Sequence, residues 1–258
     1  MLKKSISTIC TITGNTLLGI FRDKLFYAVA VLALVFLGFT LSLGAISLGS
    51  DLKIIKDLGL AVIYLFSLIC AIYFGSTKMH DELKMKTYLP VVAKPVSRLQ
   101  FLIGKYLGFL SAITISAIIL QILYLILIYY KGGGIIWLTL WQLPLLIGEM
   151  SLISALTILF SLFTSEIVSI FSVTLLVFIG HSLSFIRSAI ANSSALTHNF
   201  INFALYLLPD LEKFNLRNSL VYSIAPSTAQ IIYPLLYSLL FTIILIWLSL
   251  IIFERHEK

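Results

Sequence analysis

Six long apolar runs constrain this chain more than any other feature of its sequence. They occupy residues 25–48, 58–76, 106–130, 143–163, 167–186 and 229–253. A helix needs about 20 mostly apolar residues to cross a bilayer, and these runs lack the period-two alternation of a membrane β-barrel. Because a helix satisfies its own backbone hydrogen bonds in lipid, the sequence predicts an all-α polytopic membrane protein with six transmembrane helices.

The composition predicts a single transmembrane domain over residues 1–258. Hydrophobic residues make up 60% of the chain and charged residues 11%, so six spans leave no room for a soluble domain. Cys10 and Cys70 are not expected to form a disulfide, and no Cys/His spacing indicates a metal site. The net charge of +7 suits anionic membrane lipid, and no nucleic-acid partner is expected.

The distribution of Lys and Arg predicts the orientation of the spans. Cytoplasmic loops carry an excess of these residues, and placing both termini in the cytoplasm puts 12 of the 18 on that side. The twelve are Lys3, Lys4, Arg22, Lys24, Lys78, Lys84, Lys86, Lys94, Arg98, Lys105, Arg255 and Lys258. We therefore predict a multi-pass protein of the cell membrane with cytoplasmic termini.

Two regions outside the spans are also expected to contact the membrane. Apolar residues recur near helical spacing in residues 1–24, which predicts an amphipathic helix in the inner interface; the alternative is a loosely ordered tail. Residues 187–228 contain apolar pieces too short to cross, interrupted by Pro209 and Pro226. They predict a re-entrant outer segment before the last span, and the alternative is a surface loop.

Two ionisable residues lie inside predicted spans. Glu149 is in the fourth span and His181 in the fifth, each a few residues from the outer end. Such residues are costly in lipid and usually face one another, a cavity or the bundle interior. Because a short link makes the two spans an antiparallel hairpin, we predict that Glu149 and His181 form a pair. The alternatives are that each reaches the outer interface, or that the pair is purely structural.

The polar stretch 77–105 separates the second and third spans. Acidic residues precede lysines in residues 81–87, a polarity that favours a short charged helix, and Pro90 and Pro95 limit its length. On charge alone, the stretch is also typical of a solvated cytoplasmic loop. The chain has no G-x-x-x-x-G-K-[ST] motif, so it has no ATP site of the P-loop type.

The order of residues in this stretch resembles a known family. Glu82, Lys86-Thr87, Ala93-Lys94-Pro95-Val96-Ser97-Arg98 and Gly104-Lys105-Tyr106-Leu107-Gly108 are similar to a pattern of exporter-type (type-2) ABC transporter permeases. The likeness extends to the branch associated with multicopper-enzyme and nitrous-oxide-reductase maturation. Ile179-Gly180-His181 and residues 207–217 are similar to two further sequences of that branch.

The resemblance implies a permease subunit that is not itself an enzyme. A coupling helix between the second and third spans would bind a separate ABC ATPase, which holds ATP and magnesium, while this chain binds no cofactor. A second permease chain, identical or different, would complete the transporter. The implied ATPase-coupling residues are Asp81, Glu82, Lys84, Lys86, Thr87, Lys94, Pro95 and Arg98. Pro90 departs from the family pattern and predicts a short or kinked coupling helix.

Two other functions fit the same residues. In an ion-coupled secondary transporter, Glu149 and His181 would act as a proton relay, and transport would stop when the proton gradient collapses. In a membrane maturation factor without transport, the chain would neither stimulate an ATPase nor move a solute.

Overall fold

The computed structural model describes residues 2–46, 51–84, 97–132, 137–190, 205, 208–222 and 224–255. Over these ranges the chain is almost entirely helical and contains no strand. The helices are α1 (Leu2–Phe21), α2 (Lys24–Ile46), α3 (Asp51–Lys84), α4 (Arg98–Tyr130), α5 (Gln142–Ser161), α6 (Glu166–Ile190), α7 (Arg217–Val221) and α8 (Thr228–Arg255), with 3₁₀ turns at Trp137–Trp141 and Glu212–Phe214.

Six of these helices are long and apolar enough to cross a membrane: α2, α3, α4, α5, α6 and α8. The prediction of an all-α protein with six spans is confirmed, and the chain is a multi-pass membrane protein. The short link between the fourth and fifth spans is also present, because α5 ends at Ser161 and α6 begins at Glu166.

The second and third spans are longer than predicted. α3 has 34 residues and α4 has 33, so each is about 50 Å long, well beyond the roughly 30 Å hydrocarbon core. Residues 77–84 contain no Gly or Pro, and the helix therefore continues through them. Ser97 caps α4 in a capping box with Gln100, so the third span begins at Arg98 rather than at residue 106.

This extension corrects the prediction for the polar stretch. Residues 81–84 are the last turn of α3, not a separate short helix, and Lys105 lies in the second turn of α4. Residues 85–96, which include Pro90, lie outside the described residues. The polar stretch 77–105 is therefore largely the continuation of two spans.

α5 is the central helix of the bundle. It contacts α3, α4, α6 and α8, and Leu145, Met150, Leu152 and Ile153 on it are fully buried. α8, by contrast, exposes large apolar side chains such as Tyr233 and Trp247 on its outer surface. Side chains that face lipid need no protein partner, so this pattern is typical of a bundle with α5 inside and α8 at the periphery.

α1 is a helix, as predicted, and it packs lengthwise on the first half of α4. The side-chain amide of Gln100 donates to Ser5 Oγ, and Thr13 Oγ1 donates to the Gly104 carbonyl at 3.2 Å. Later residues of α1 contact later residues of α4, so the two helices run parallel. The position of α1 relative to the bilayer stays a prediction.

The segment before the last span folds back onto the bundle. Leu211, Phe214, Leu216 and Leu220 are buried, and the backbone N–H of Leu211 donates to the Gly180 carbonyl of α6 at 3.3 Å. α7 lies against α3. Residues 208–222 therefore form part of the packed protein, as expected for a re-entrant segment and not for a surface loop.

Candidate functional site

A group of polar side chains lies inside the bundle, where α3, α5 and α6 meet. Glu149 is two turns from the start of α5 and is only 3% exposed. His181 Nε2 lies 2.9 Å from Glu149 Oε1, so the structure brings the predicted pair together. Whether the pair has a functional role stays a prediction.

Tyr64 of α3 is the third member of this group. Its hydroxyl donates to Glu149 Oε1 at 2.9 Å and lies 2.7 Å from His181 Nε2. Sequence alone does not reveal this role, because a tyrosine within an apolar run is common and the partner of its hydroxyl lies far away in the chain. We call Tyr64, Glu149, His181 and Glu212 the polar cluster.

Glu212 joins the cluster from the segment that folds back. Its Oε2 lies 3.4 Å from His181 Nδ1. Gly180 permits this approach, since a methyl group at its Cα would lie 2.8 Å from the carbonyl oxygen of Pro209. A larger residue at position 180 would push the Glu212 turn away from His181. The Ile-Gly-His run therefore has a steric role here.

The geometry of the polar cluster is that of a hydrogen-bond network. The Tyr64 hydroxyl, Glu149 Oε1 and His181 Nε2 are 2.7–2.9 Å from one another, within hydrogen-bond distance and closer together than ligands that each lie about 2.0–2.2 Å from a tetrahedral zinc ion. Among the described residues, no group of three or more His, Cys, Asp or Glu side chains is arranged so that it could hold a metal ion. Only a protonated imidazole can donate to both Glu149 and Glu212 at once.

A cavity of about 190 Å³ lies beside the polar cluster. Tyr64, Glu149 and His181 line its polar floor, and apolar side chains, among them Leu60 and Phe214, form its walls. Asn215 and Arg217 also line it, with Asn215 exposed. The cavity therefore joins an exposed rim to a buried carboxylate.

Ion pairs fix the segment around this rim. Arg217 pairs with Asp57 of α3, and Arg187 Nη1 lies 3.4 Å from Asp210 Oδ2. The backbone N–H of Asp210 donates to the Tyr237 hydroxyl of α8 at 2.9 Å. The turn that carries Glu212 is thus attached to α3, α6 and α8.

The other end of the bundle, which we call the basic end, carries Arg22, Lys24, Lys78, Lys84, Arg98, Lys105 and Arg255. There, Glu82 of α3 pairs with the buried Lys105 of α4, and Lys78 pairs with Asp23 between α1 and α2. Thr77 donates to Glu166 of α6 at 2.9 Å. α3 is therefore bonded at this end to α4, to α6 and to the turn between α1 and α2.

The pKa of the Asp23 carboxyl is shifted by its surroundings at the basic end. Burial by itself would raise its pKa, but the hydrogen bond and charge of Lys78, together with the backbone N–H of Leu25, outweigh burial. The pKa of Asp23 therefore lies below its ordinary value of 3.8.

The structure describes four of the eight predicted ATPase-coupling residues, and these four differ in exposure and in their contacts. Lys84 is exposed at the end of α3, and Asp81 is half-buried one turn earlier. Glu82 already has Lys105 as an intramolecular partner, which the sequence analysis did not predict. Arg98 donates to the Glu254 carbonyl at 3.4 Å and lies over the Phe253 ring. The remaining four, Lys86, Thr87, Lys94 and Pro95, lie outside the described residues.

Comparison with known proteins does not assign the chain to a family. No protein-family model matches it, and no curated protein matches it either. Its function is therefore inferred from its residues and their geometry.

Proposed function

We propose that the chain is the permease subunit of an ATP-driven ABC exporter. The observation that carries this proposal is the joint extension of α3 and α4 beyond bilayer thickness at the basic end, where the Glu82–Lys105 pair connects them. The residues that resemble the permease pattern, from Glu82 to Gly108, lie on these extensions and on the short link between them. An ATPase bound to that link would act on both spans together.

The contacts of α3 would transmit such a force from the basic end to the polar cluster inside the membrane. α3 carries Glu82 in its last turn and Tyr64 about 27 Å earlier along the same helix, at 1.5 Å per residue. Tyr64 contacts Glu149 and His181 on two further spans. A shift of α3 along its axis would therefore change the polar cluster and its cavity.

In this proposal the basic end faces the cytoplasm, in agreement with the excess of Lys and Arg there. Both termini lie on that side. ATP and magnesium would bind to the separate ATPase, and two permease chains would enclose the translocation path.

Co-expression with the ABC ATPase encoded beside this chain tests the proposal. We expect the two subunits to co-purify and the complex to hydrolyse ATP in a vanadate-sensitive manner. Absence of both a complex and vanadate-sensitive hydrolysis would refute the assignment.

A charge swap then distinguishes a direct contact between Glu82 and the ATPase from a purely internal role of Glu82 as the partner of Lys105. Glu82→Lys and Lys105→Glu each break the ion pair, and the double variant restores it in reverse. If Glu82 contacts the ATPase, the double variant regains thermal stability but not the complex. Recovery of both would assign Glu82 a structural role and move the contact to Lys84 or the adjoining link.

One observation favours a second function, ion-coupled secondary transport. The polar cluster places the His181 imidazole between two carboxylates, Glu149 in the fourth span and Glu212 in the segment before the last span, an arrangement that suits a proton relay. Substrate uptake or efflux by proteoliposomes without any ATPase, abolished by a protonophore, would support this function. Glu149→Gln would then stop transport without changing expression.

A further inference from the structure

Two side-chain oxygens at the cavity beside Glu149 accept no hydrogen bond from the described residues. Glu149 uses Oε1 for its bonds to Tyr64 and His181, and no bond to Oε2 occurs within the described part of the chain. Gln142, at the start of α5, also lines the cavity. Its Oε1 is buried and has no hydrogen-bond partner among the described residues. A buried amide oxygen without a donor is costly, so this atom indicates a missing donor.

The charges around the cavity favour a cation. Glu149 lines the cavity, Glu212 lies behind His181 and outside the lining, and His181 between these two carboxylates contributes at most one positive charge. Arg217 also lines the cavity, but its guanidinium pairs with Asp57. With both carboxylates ionised, Glu149, Glu212, His181 and the Arg217–Asp57 pair together carry a net negative charge that a bound cation would neutralise.

The size and walls of the cavity favour an organic cation. Its volume of about 190 Å³ exceeds the roughly 150 Å³ of an engineered cavity that binds benzene, and it is far larger than a bare inorganic ion needs. Leu60, Leu146 and Phe214 supply apolar walls. A ligand that fills this space has an apolar group about the size of a benzene ring.

We propose that the cavity binds a small primary amine. The ammonium group, with three donors, lies between Glu149 and Gln142 Oε1, and the apolar group packs against Leu60, Leu146 and Phe214. This binding site is independent of the proposed ATPase partnership, because all the residues that form it belong to this chain.

A ligand series on the full-length chain tests the amine. The protein is placed in phosphatidylcholine nanodiscs, and binding of phenethylamine, 2-phenylethanol and 3-phenylpropionate is measured by isothermal titration calorimetry against empty nanodiscs. The three probes share a phenyl ring and differ in the charge of the polar end. We expect saturable binding of the amine and at least about tenfold weaker binding of the alcohol and the acid, since charge-assisted hydrogen bonds are the stronger ones.

Three variants locate the site. Glu149→Gln removes the charge, and Ala61→Phe fills the cavity without changing any charge; we expect each to weaken amine binding about tenfold or more. Glu166→Gln makes the same chemical change at the basic end and should leave binding unchanged. Thermal melting shows which variants fold, and if Glu149→Gln does not, Ala61→Phe and the ligand series still decide.

The proposal is overturned by any of three results. These are the lack of saturable amine binding, equal affinity for the alcohol and the amine, or unchanged amine binding in folded Glu149→Gln. No ATPase is present in these measurements, so failure of the exporter assignment would leave their outcome unaffected.

Discussion

Gly108 of α4 lies so close to Thr16 of α1 that a methyl group at its Cα would be 2.5 Å from Thr16 Cβ. Gly104, one turn earlier, has the same relation to Ile12 at 2.8 Å. The two glycines form the G-x-x-x-G spacing that allows helices to approach closely in membranes. The Gly-Lys-x-x-Gly part of the sequence pattern thus explains how α1 is attached to the third span.

Gly108→Ala should destabilise the protein because the added methyl group overlaps Thr16. Overpacking of this kind costs about 1–3 kcal/mol. Gly38→Ala on α2 is the matched control, since nothing lies within 4 Å of its Cβ position and alanine favours helix. Thermal melting in detergent should show a lower melting temperature for Gly108→Ala than for wild type. The melting temperature of Gly38→Ala should not be lowered. Equal transitions would mean that α1 is not packed at Gly108.

Tyr64→Phe should cost about 1–3 kcal/mol, because it leaves the buried Glu149 carboxyl without the tyrosine hydroxyl as a donor. The exposed Tyr27 provides the same chemical change without a buried partner, so Tyr27→Phe should be nearly neutral. Chemical unfolding in mixed micelles compares the two. A Tyr64→Phe variant as stable as Tyr27→Phe would show that the polar cluster does not contribute to stability.

The Asp23–Lys78 pair should make stability depend on acid pH. Because the folded state lowers the pKa of Asp23 below 3.8, the stabilisation is fully present above the unfolded pKa and is lost as pH falls through the folded pKa. Asp23→Asn should therefore be less stable than wild type at pH 6, by about 1 kcal/mol or less, and the difference should be smaller at pH 3, below the ordinary pKa of 3.8. With Lys78→Met as background, the effect of Asp23→Asn should shrink at pH 6. Melting temperatures of the four proteins at both pH values check this.

The start of α4 should depend on Ser97. Its side chain accepts from the Gln100 backbone N–H at 3.3 Å, and its own N–H donates to Gln100 Oε1 at 3.1 Å. Ser97→Ala removes the cap, at a cost of about 0.5–2 kcal/mol, and should speed hydrogen exchange in the first turn of α4. Ser182→Ala, at an exposed position inside α6, should not change exchange. Unchanged exchange in Ser97→Ala would mean that neighbouring contacts hold the turn.

The spans could be predicted from sequence because each apolar run is about as long as the bilayer requires, or longer. Their ends were harder to locate. Hydropathy falls at residue 77, but the helix continues to Lys84 because its residues still favour helix and no breaker intervenes. A polar stretch next to a span therefore does not mark the end of the helix.

The polar cluster could be predicted in part. Glu149 and His181 were recognisable because ionisable residues inside spans are rare. Tyr64 was not, since nothing in the sequence reveals the partner of a tyrosine hydroxyl 85 residues away. The Glu82–Lys105 pair is hidden for a related reason: hydropathy assigns both residues to one polar loop, whereas they lie on neighbouring turns of α3 and α4.

The tight link between α5 and α6 has a consequence for biosynthesis. A charged residue at the centre of an isolated helix adds about 2.5–3.5 kcal/mol to the cost of insertion through the translocon. Glu149 lies two turns from the start of α5, so inserting α5 alone would carry a smaller cost of the same kind. Only residues 162–165 separate α5 from α6, so His181 follows closely. The two helices are therefore expected to enter the lipid as one hairpin, in which Glu149 and His181 are already paired.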